Sequence, residues 1–560
     1  MTTVATIATS HYWLEMDIPR QAVFPSDPEK AALEQQPQLD SSNGFLAPLA
    51  VQSAQDNRWK RRGRFLKGFF AGVLLFFGLK MLAGDVMYHL ATRTRGGCNH
   101  GHQVLSVDWL NEDTSYAPGE FPIPPDLTVD HCAEWPEAPE PHHPHHPHHP
   151  HDLDEPEALD EHDPHQHQFS QWNAFKLPVS SDFLFLVSRG SWSTGAVEIG
   201  QSDEPGDEVL VNVTTYYRHP HVLEHAQVCQ LKRQGNEVGV GVFSTNPPHR
   251  RPPHRHHRLP VWFRINVTLP SGTEESPLDL KSFATSLGIF PHSVGDLAKT
   301  VRFGNLELKA AVAPISVKSV IAKKAVVETS SGSIEGNFAT SSSLKLSTAN
   351  AHIKANASFF ALSLGEAIVK NANGAIVGNF STKDRLVLST ANAPILVNLT
   401  LVNTDEDTPT EVKLDTAHGI INGNLTLYSI GSDSTSPTSN PGGSFKISAH
   451  NAAGPITLLT PQAPVNSTIN LKADTALGSV DVQMHPTFEG RFSVQNTLGK
   501  IQVGLDDENV EDPDERGRKR VLNFGKVGRS TTGKVYWGEE TGVRGEVKVD
   551  TTLADVNLRL

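Results

Sequence analysis

Residues Val327–Ile353 read VETSSGSIEGNFATSSSLKLSTANAHI, and the eight residues at either end, VETSSGSI and LSTANAHI, are two copies of one pattern. Further copies are LKAAVAPI from Leu308, VKNANGAI from Val369, LSTANAPI from Leu388, LDTAHGII from Leu414, AHNAAGPI from Ala449, ADTALGSV from Ala473, VQNTLGKI from Val494 and VDTTLADV from Val549. The eighth position is always Ile or Val: Ile315, Ile334, Ile353, Ile376, Ile395, Ile421, Ile456, Val480, Ile501 and Val556. The sixth is always Gly or Ala. The third is Thr or Asn except at Ala310. Such self-similarity is the mark of a stacked repeat architecture.

Stacked as parallel strands about 4.8 Å apart, the eighth-position side chains form a continuous internal ladder. The Gly/Ala column marks a corner where backbone conformation or crowding excludes larger side chains. The Thr/Asn column is placed to satisfy buried backbone groups at the turn. A 19-residue spacing between copies suits one short coil, and wider gaps, of 35 residues before Asn451 and 55 before Thr551, read as extruded loops. A β-sandwich would explain alternation but not a small residue recurring in every copy. The expected fold is therefore mainly β: a right-handed β-solenoid-like repeat domain over 301–560. A β-rich region over 171–300 caps it, because an open solenoid end invites edge-to-edge aggregation. The segment SPLDLKSFATSLGIF between them reads as a loop or short helix.

The chain has 560 residues and a net charge of −14, with no basic face interleaved with aromatics, so nucleic acid is not an expected partner. Phe65–Gly84 reads FLKGFFAGVLLFFGLKMLAG, long enough to span a bilayer if Lys67 and Lys80 snorkel to the interfaces. The basic RWKRRGR before it predicts a cytosolic N-terminal tail, 1–64, and an extracellular or lumenal remainder, making the chain a type II single-pass membrane protein. All seven Asn-x-Ser/Thr sequons lie beyond that span: Asn212, Asn266, Asn356, Asn379, Asn398, Asn424 and Asn466. Of three cysteines, Cys98 and Cys132 flank one linker and could pair in an oxidising compartment, leaving Cys229 over.

The linker, 85–170, is acidic and rich in His and Pro. Its tract from Pro141 to His151 holds His142, His143, His145, His146, His148, His149 and His151. Imidazoles at that density can take zinc, copper or nickel. They lack the fixed tetrahedral set of a structural site, and a hydrated spacer is the favoured reading. No GxSxG turn, P-loop, dinucleotide fingerprint or HExxH motif occurs, and no cofactor is expected. Acids recur at the second repeat position as Glu328, Asp415, Asp474 and Asp550, but intervening copies carry other residues, so no adjacent acidic pair is expected. Glu489 stands out because its surroundings, HPTFEGRF, are not repetitive; its plainer role is a contact with Arg491.

VETSSGSIEGNF, LSTANAPILVNL and VKVDTTLADVNLRL resemble the putative-adhesin family of repetitive β domains. HPTFEGRFSVQNTLGKIQV (485–503), EDPDERGRKR (511–520) and GKVYWG (533–538) resemble a fungal, membrane-anchored branch of it. The resemblance covers roughly 175–560 and implies a right-handed solenoid-like fold at a cell surface, with no assigned ligand residues. The sequence as a whole predicts a non-catalytic adhesion module facing cell-wall glycan or a surface protein. The alternatives are a self-associating spacer or scaffold and, behind it, a polysaccharide-active enzyme.

Overall fold

A computed structural model describes residues 120–135, 169–245, 261–359, 365–405, 407–430, 442–506, 510–540 and 544–560. Among these residues no helix is long and apolar enough to cross a membrane; Phe65–Gly84, the His-rich tract and Cys98 lie outside them. The described chain is mainly β, with thirty strands.

Most strands fall into two columns of parallel rungs. Column I begins at each eighth-position residue: Ile315 pairs with Ile334, which pairs in turn with Ile353. The ladder continues through Ile376, Ile395, Ile421, Ile456 and Val480. These side chains are buried, so each rung adds one β-branched residue to a continuous apolar spine. Column II runs up to the third position, as Ser343–Thr348 on Glu366–Asn371 and then Arg385–Ser389, Thr410–Thr416, Ser444–Asn451 and Thr468–Thr475. Each copy of the eight-residue pattern is thus the corner that carries the chain from column II into column I of the same rung.

The corner chemistry follows the sequence columns. Thr329, Thr348, Asn371, Thr390, Thr416, Asn451, Thr475, Asn496 and Thr551 are all buried. Thr416 Oγ1 accepts from Gly419 N (3.2 Å) and donates to Ala393 O (3.2 Å), one rung away; Asn451 accepts from Gly454 N (2.9 Å) and its amide donates to Gly419 O. Corner peptide groups that burial would leave unpaired are satisfied in this way.

Both ends depart from chain order. Near the start, the rung Glu237–Ser244/Val261–Leu269 lies outside Phe183–Arg189/Gly195–Gln201, which itself pairs onward with Leu278–Ser286 and His292–Asp296. The parallel stack therefore begins before residue 301, and SPLDLKSFATSLGIF supplies a strand rather than a loop or helix: Leu278–Ser286 pairs in parallel with Val301–Lys309 and buries Leu280 and Phe283 in the core. Antiparallel strands Glu208–Tyr217 and Phe169–Pro178 close column I there, while Ala226–Arg233 and Thr128–Cys132 close column II. The disulfide joins Cys132 to Cys229, not to Cys98: facing strands bring those two together, a juxtaposition that separation along the chain cannot show.

At the far end, the last rung in sequence, Glu546–Thr551/Val556–Arg559, is inserted between Thr468–Thr475/Val480–Gln483 and Gly490–Asn496/Ile501–Gly504. The 55-residue gap is thus no simple loop. It holds the hairpin Arg520–Val527/Ser530–Trp537, which adds antiparallel to Gly490–Asn496.

One ladder position is chemically out of place. His292 pairs with Val197 and Ile315 in the eighth-position spine and is 2 % exposed. Its Nδ1 lies 2.8 Å from Phe290 O and its Nε2 2.8 Å from Thr285 Oγ1, which suits a neutral ring donating to the carbonyl and accepting from the hydroxyl. Burial pushes its pKa down to about 4. A histidine with a depressed folded pKa leaves the unfolded chain binding more protons, so stability is full above about 6.5 and falls as pH drops toward 4. The expected loss across that window is on the order of 3 kcal/mol. The His450–Asp474 contact acts oppositely: Asp474 raises the His450 pKa, so that stabilisation is present at low pH and fades as pH rises through the raised value. Denaturant midpoints from pH 7 to 4 should fall in the parent and fall less in His292→Gln; parallel slopes would show that His292 does not carry the effect.

Candidate functional site

The outward side of column I carries an ordered lattice of amides. Three residues after the spine residue, Asn337, Asn356, Asn379, Asn398 and Asn424 occupy successive rungs in register. Asn356 Nδ2 donates to Asn337 Oδ1, Asn379 to Asn356 and Asn398 to Asn379, each at 2.8 Å, and Asn337 Nδ2 closes the row on Lys318 O at 2.7 Å. Strand alternation puts Phe338, Phe380 and Leu399 behind them in the core and Ser358, Ser381 and Thr400 beside them in the next outward column. A shallow groove of about 520 Å³ runs along this row. An amide has two N–H donors and two acceptor lone pairs, so each ladder residue keeps hydrogen-bonding capacity facing outward, repeated at the rung spacing of about 4.8 Å. Leu396, 39 % exposed, borders the row. A second amide row, Asn350–Asn373–Asn392, follows the corner with contacts of 2.9 and 2.8 Å.

The structure sorts the seven sequons. Asn356, Asn379 and Asn398 are ladder members whose Nδ2 atoms, the glycan attachment atoms, are already donating, and Asn424 is the next rung. Asn212 and Asn266 face each other across antiparallel strands, half-buried. Asn466 alone of the seven sits in an exposed turn, at φ 60°, with its carbonyl taken by Arg544 Nη1 at 2.9 Å. Rungs about 4.8 Å apart leave no room for branched sugars on consecutive amides. In protein from a glycosylating secretory pathway, glycopeptide mass spectrometry should find occupancy at Asn466 and none at Asn379. Occupied Asn379 in folded protein would contradict the ladder.

Glu489 is committed to structure. Its carboxylate accepts from Trp537 N at 2.8 Å and faces Arg518 Nη1 at 3.9 Å, so the expected contact with Arg491 is replaced by one with the hairpin. Trp537 Nε1 donates to Pro486 O at 2.9 Å, and the Arg520 guanidinium donates to the carbonyls of Pro486 and Phe488 while lying 5.3 Å over the Trp537 ring. Burial pushes the Arg520 pKa down to about 10. Asp512 gathers the backbone N–H groups of Asp514, Arg516 and Arg518 together with the Arg518 guanidinium, whose hydrogen bonds hold its carboxyl well below the usual range. The three non-repetitive motifs of the sequence are therefore one latch that fastens the hairpin to the end of the stack.

The second-position column also differs from expectation. Because the last rung is inserted, Asp550 pairs directly with Asp474, and the outward row reads Asp415, His450, Asp474, Asp550. An adjacent acidic pair therefore exists. Burial raises the Asp550 pKa, with the Asp474 charge adding to it. Asp474 is lowered despite burial, by hydrogen bonds from His450 and then Lys472. Asp474 is thus held in ion pairs with His450 (2.5 Å) and Lys472 (2.9 Å). Among the described residues no group of three or more His, Cys, Asp or Glu is placed to hold a metal ion; His142, His143, His145, His146, His148, His149 and His151 lie outside them.

No protein-family model and no curated protein matches the chain. A solved structure, a putative cell adhesion protein from Clostridium sporogenes, aligns over 70 % of this chain and 99 % of its own length, at 8 % identity and a TM-score of 0.14. Similarity that low leaves fold and function to the strand pairings and side chains themselves.

Proposed function

We propose that this is a single-pass, type II membrane protein displaying a non-catalytic, glycosylated, right-handed β-solenoid for adhesion to polymeric glycan, in line with its resemblance to repetitive adhesin domains. The observation that carries the reading is the exposed asparagine row with its flanking hydroxyls and groove. A row of donors and acceptors at fixed spacing suits a ligand that itself repeats hydroxyl groups, and many weak contacts along one polymer add by effective concentration. Right-handed winding follows from the strong preference of parallel crossover connections. The cytosolic tail and the external side of the domain follow from the basic residues before Phe65.

The test is retention of the detergent-solubilised full chain on insoluble cell-wall glucan, chitin and mannan. Retention should fall at least tenfold in Asn379→Ala/Asn398→Ala, with the thermal transition little changed because these side chains are exposed. Equal retention of parent and variant, or none on any polymer, would sink the reading. A row that binds no glycan would leave the spacer as the stronger account.

A further inference from the structure

The far end of the stack is finished on one side only. Column II continues past Gly490–Asn496 by two strands, Ser530–Trp537 and then Arg520–Val527. Column I stops at Ile501–Gly504, whose pairing among the described residues is with Val556–Arg559. At the opposite end both columns are closed by antiparallel strands. The overhang leaves a seat on column I one or two strands wide, a cleft of about 490 Å³ between Ile501–Leu505 and the hairpin residues Phe524, Lys526 and Thr531.

The seat has the chemistry of a missing rung. Ile501 is partly exposed, whereas the other nine eighth-position residues are buried, and Val503 and Leu505 are partly exposed too, packed against the core from one side. Val556 N donates to Lys500 O, Leu560 N to Gly504 O and Asp506 N to Leu560 O. Peptide groups alternate sides along a strand, so Ile501, Val503 and Leu505 turn theirs toward the empty side. Across the cleft, Phe524 is 54 % exposed, a large aromatic half open to solvent. Natural proteins cover, twist or charge such edges, and among the described residues no strand covers this one.

A second copy of the chain does not fit. It would bring its own two-strand overhang, and a single inter-strand spacing of about 4.8 Å between the column I edges would force four hairpin strands into the same space on column II. An extended segment without a sheet behind it does fit. From these observations we infer that the end of column I is a strand-addition site for an extended peptide segment of a partner protein. Alternate apolar side chains of that segment face Ile501, Val503 and Phe524, and an acidic side chain meets Lys526, which makes no ion pair among the described residues. Main-chain hydrogen bonds then supply affinity and the apolar side chains selectivity. This site is separate from the asparagine face and stands or falls independently of it.

The probe is a synthetic peptide copying Ala554–Leu560, ADVNLRL, which carries the pattern of the column's own rungs. A second peptide has Ser at the positions of Val556 and Leu558. With the full chain in detergent, the first should bind saturably and slow amide exchange at Ile501 and Val503 at least fivefold, and the second should not. Phe524→Glu, at an exposed position, should weaken binding tenfold or more with the thermal transition unchanged, and Val503→Pro should abolish it by removing a donor on the open edge. Absence of protection by the first peptide overturns the proposal, as does equal protection by both or binding that survives Phe524→Glu. A dimer in solution that Phe524→Glu dissociates would also overturn it, by making the occupant a second copy.

Discussion

A chain ending at Arg544 is expected to lose the far end of the stack as a unit, not merely one rung. In an ordinary repeat array each unit touches only its neighbours, so removing the last in sequence trims the edge. Here Glu546–Thr551 and Val556–Arg559 lie inside the stack, each paired on both sides. Truncation removes Val547, Val549, Val556, Leu558 and Leu560, all buried. At roughly 1.5–3 kcal/mol for each such side chain, the loss is comparable with the whole net stability of a domain, about 5–15 kcal/mol. It also leaves Gly490–Asn496/Ile501–Gly504 two spacings, about 9.5 Å, from the nearest rung, so the latch around Glu489 and Trp537 loses its seat. Limited proteolysis should cut the truncated chain throughout 485–540 while leaving the described rungs from Ile315 to Gln462 resistant. A truncated chain that keeps 485–540 protected would refute the inserted order.

That order marks where the sequence stops being readable. The spine, the small corner and the polar corner are fixed by what one rung demands of the next, and such demands recur at constant offsets in the chain. Ile334, Gly332 and Thr329 could therefore be placed from sequence alone, and the structure puts them where the pattern requires. VDTTLADV and VQNTLGKI, by contrast, satisfy the same local demands equally well, so nothing in either says which of them follows Ala473–Val480. The choice rests on long-range pairing, and with it the Asp474–Asp550 adjacency. The Cys132–Cys229 bond was hidden for the same reason, since it depends on which antiparallel strands cap which rung.

The asparagine face was legible in principle. Ile334-x-x-Asn337, Ile353-x-x-Asn356, Ile376-x-x-Asn379, Ile395-x-x-Asn398 and Ile421-x-x-Asn424 recur at one offset from the spine. Four of these asparagines also fall in sequons, and a local motif that explains a residue hides a periodic one. Only the ladder bonds separate the two, because they show the amide nitrogens already in use.

The second large effect is expected at the corner glycines. Read in spatial order, the sixth-position column alternates through its middle as Ala313, Gly332, Ala351, Gly374, Ala393, Gly419. A Cβ added at Gly419 would lie 1.8 Å from Ala393 O and 2.3 Å from Ala393 C, and one at Gly332 1.9 Å from Ala313 O. Neither glycine has a positive φ, so crowding by the neighbouring backbone, rather than a left-handed conformation, is what excludes a side chain. No rotamer change can relieve a clash between a Cβ and a carbonyl, and the corner hydroxyl of Thr416, held between Gly419 N and Ala393 O, must move with it. Gly419→Ala should therefore cost about 3 kcal/mol or more, the upper part of the range for overpacking. Ala393→Gly, one rung away, removes a methyl without a clash and should cost roughly 0.5–1 kcal/mol. Hydrogen exchange at the amides of Thr416, Gly419 and Ile421 is the direct readout, because it reports opening of these rungs even if the stack does not unfold as one unit. Equal exchange in the two variants would mean that the small-residue column is kept for some reason other than the approach of successive corners.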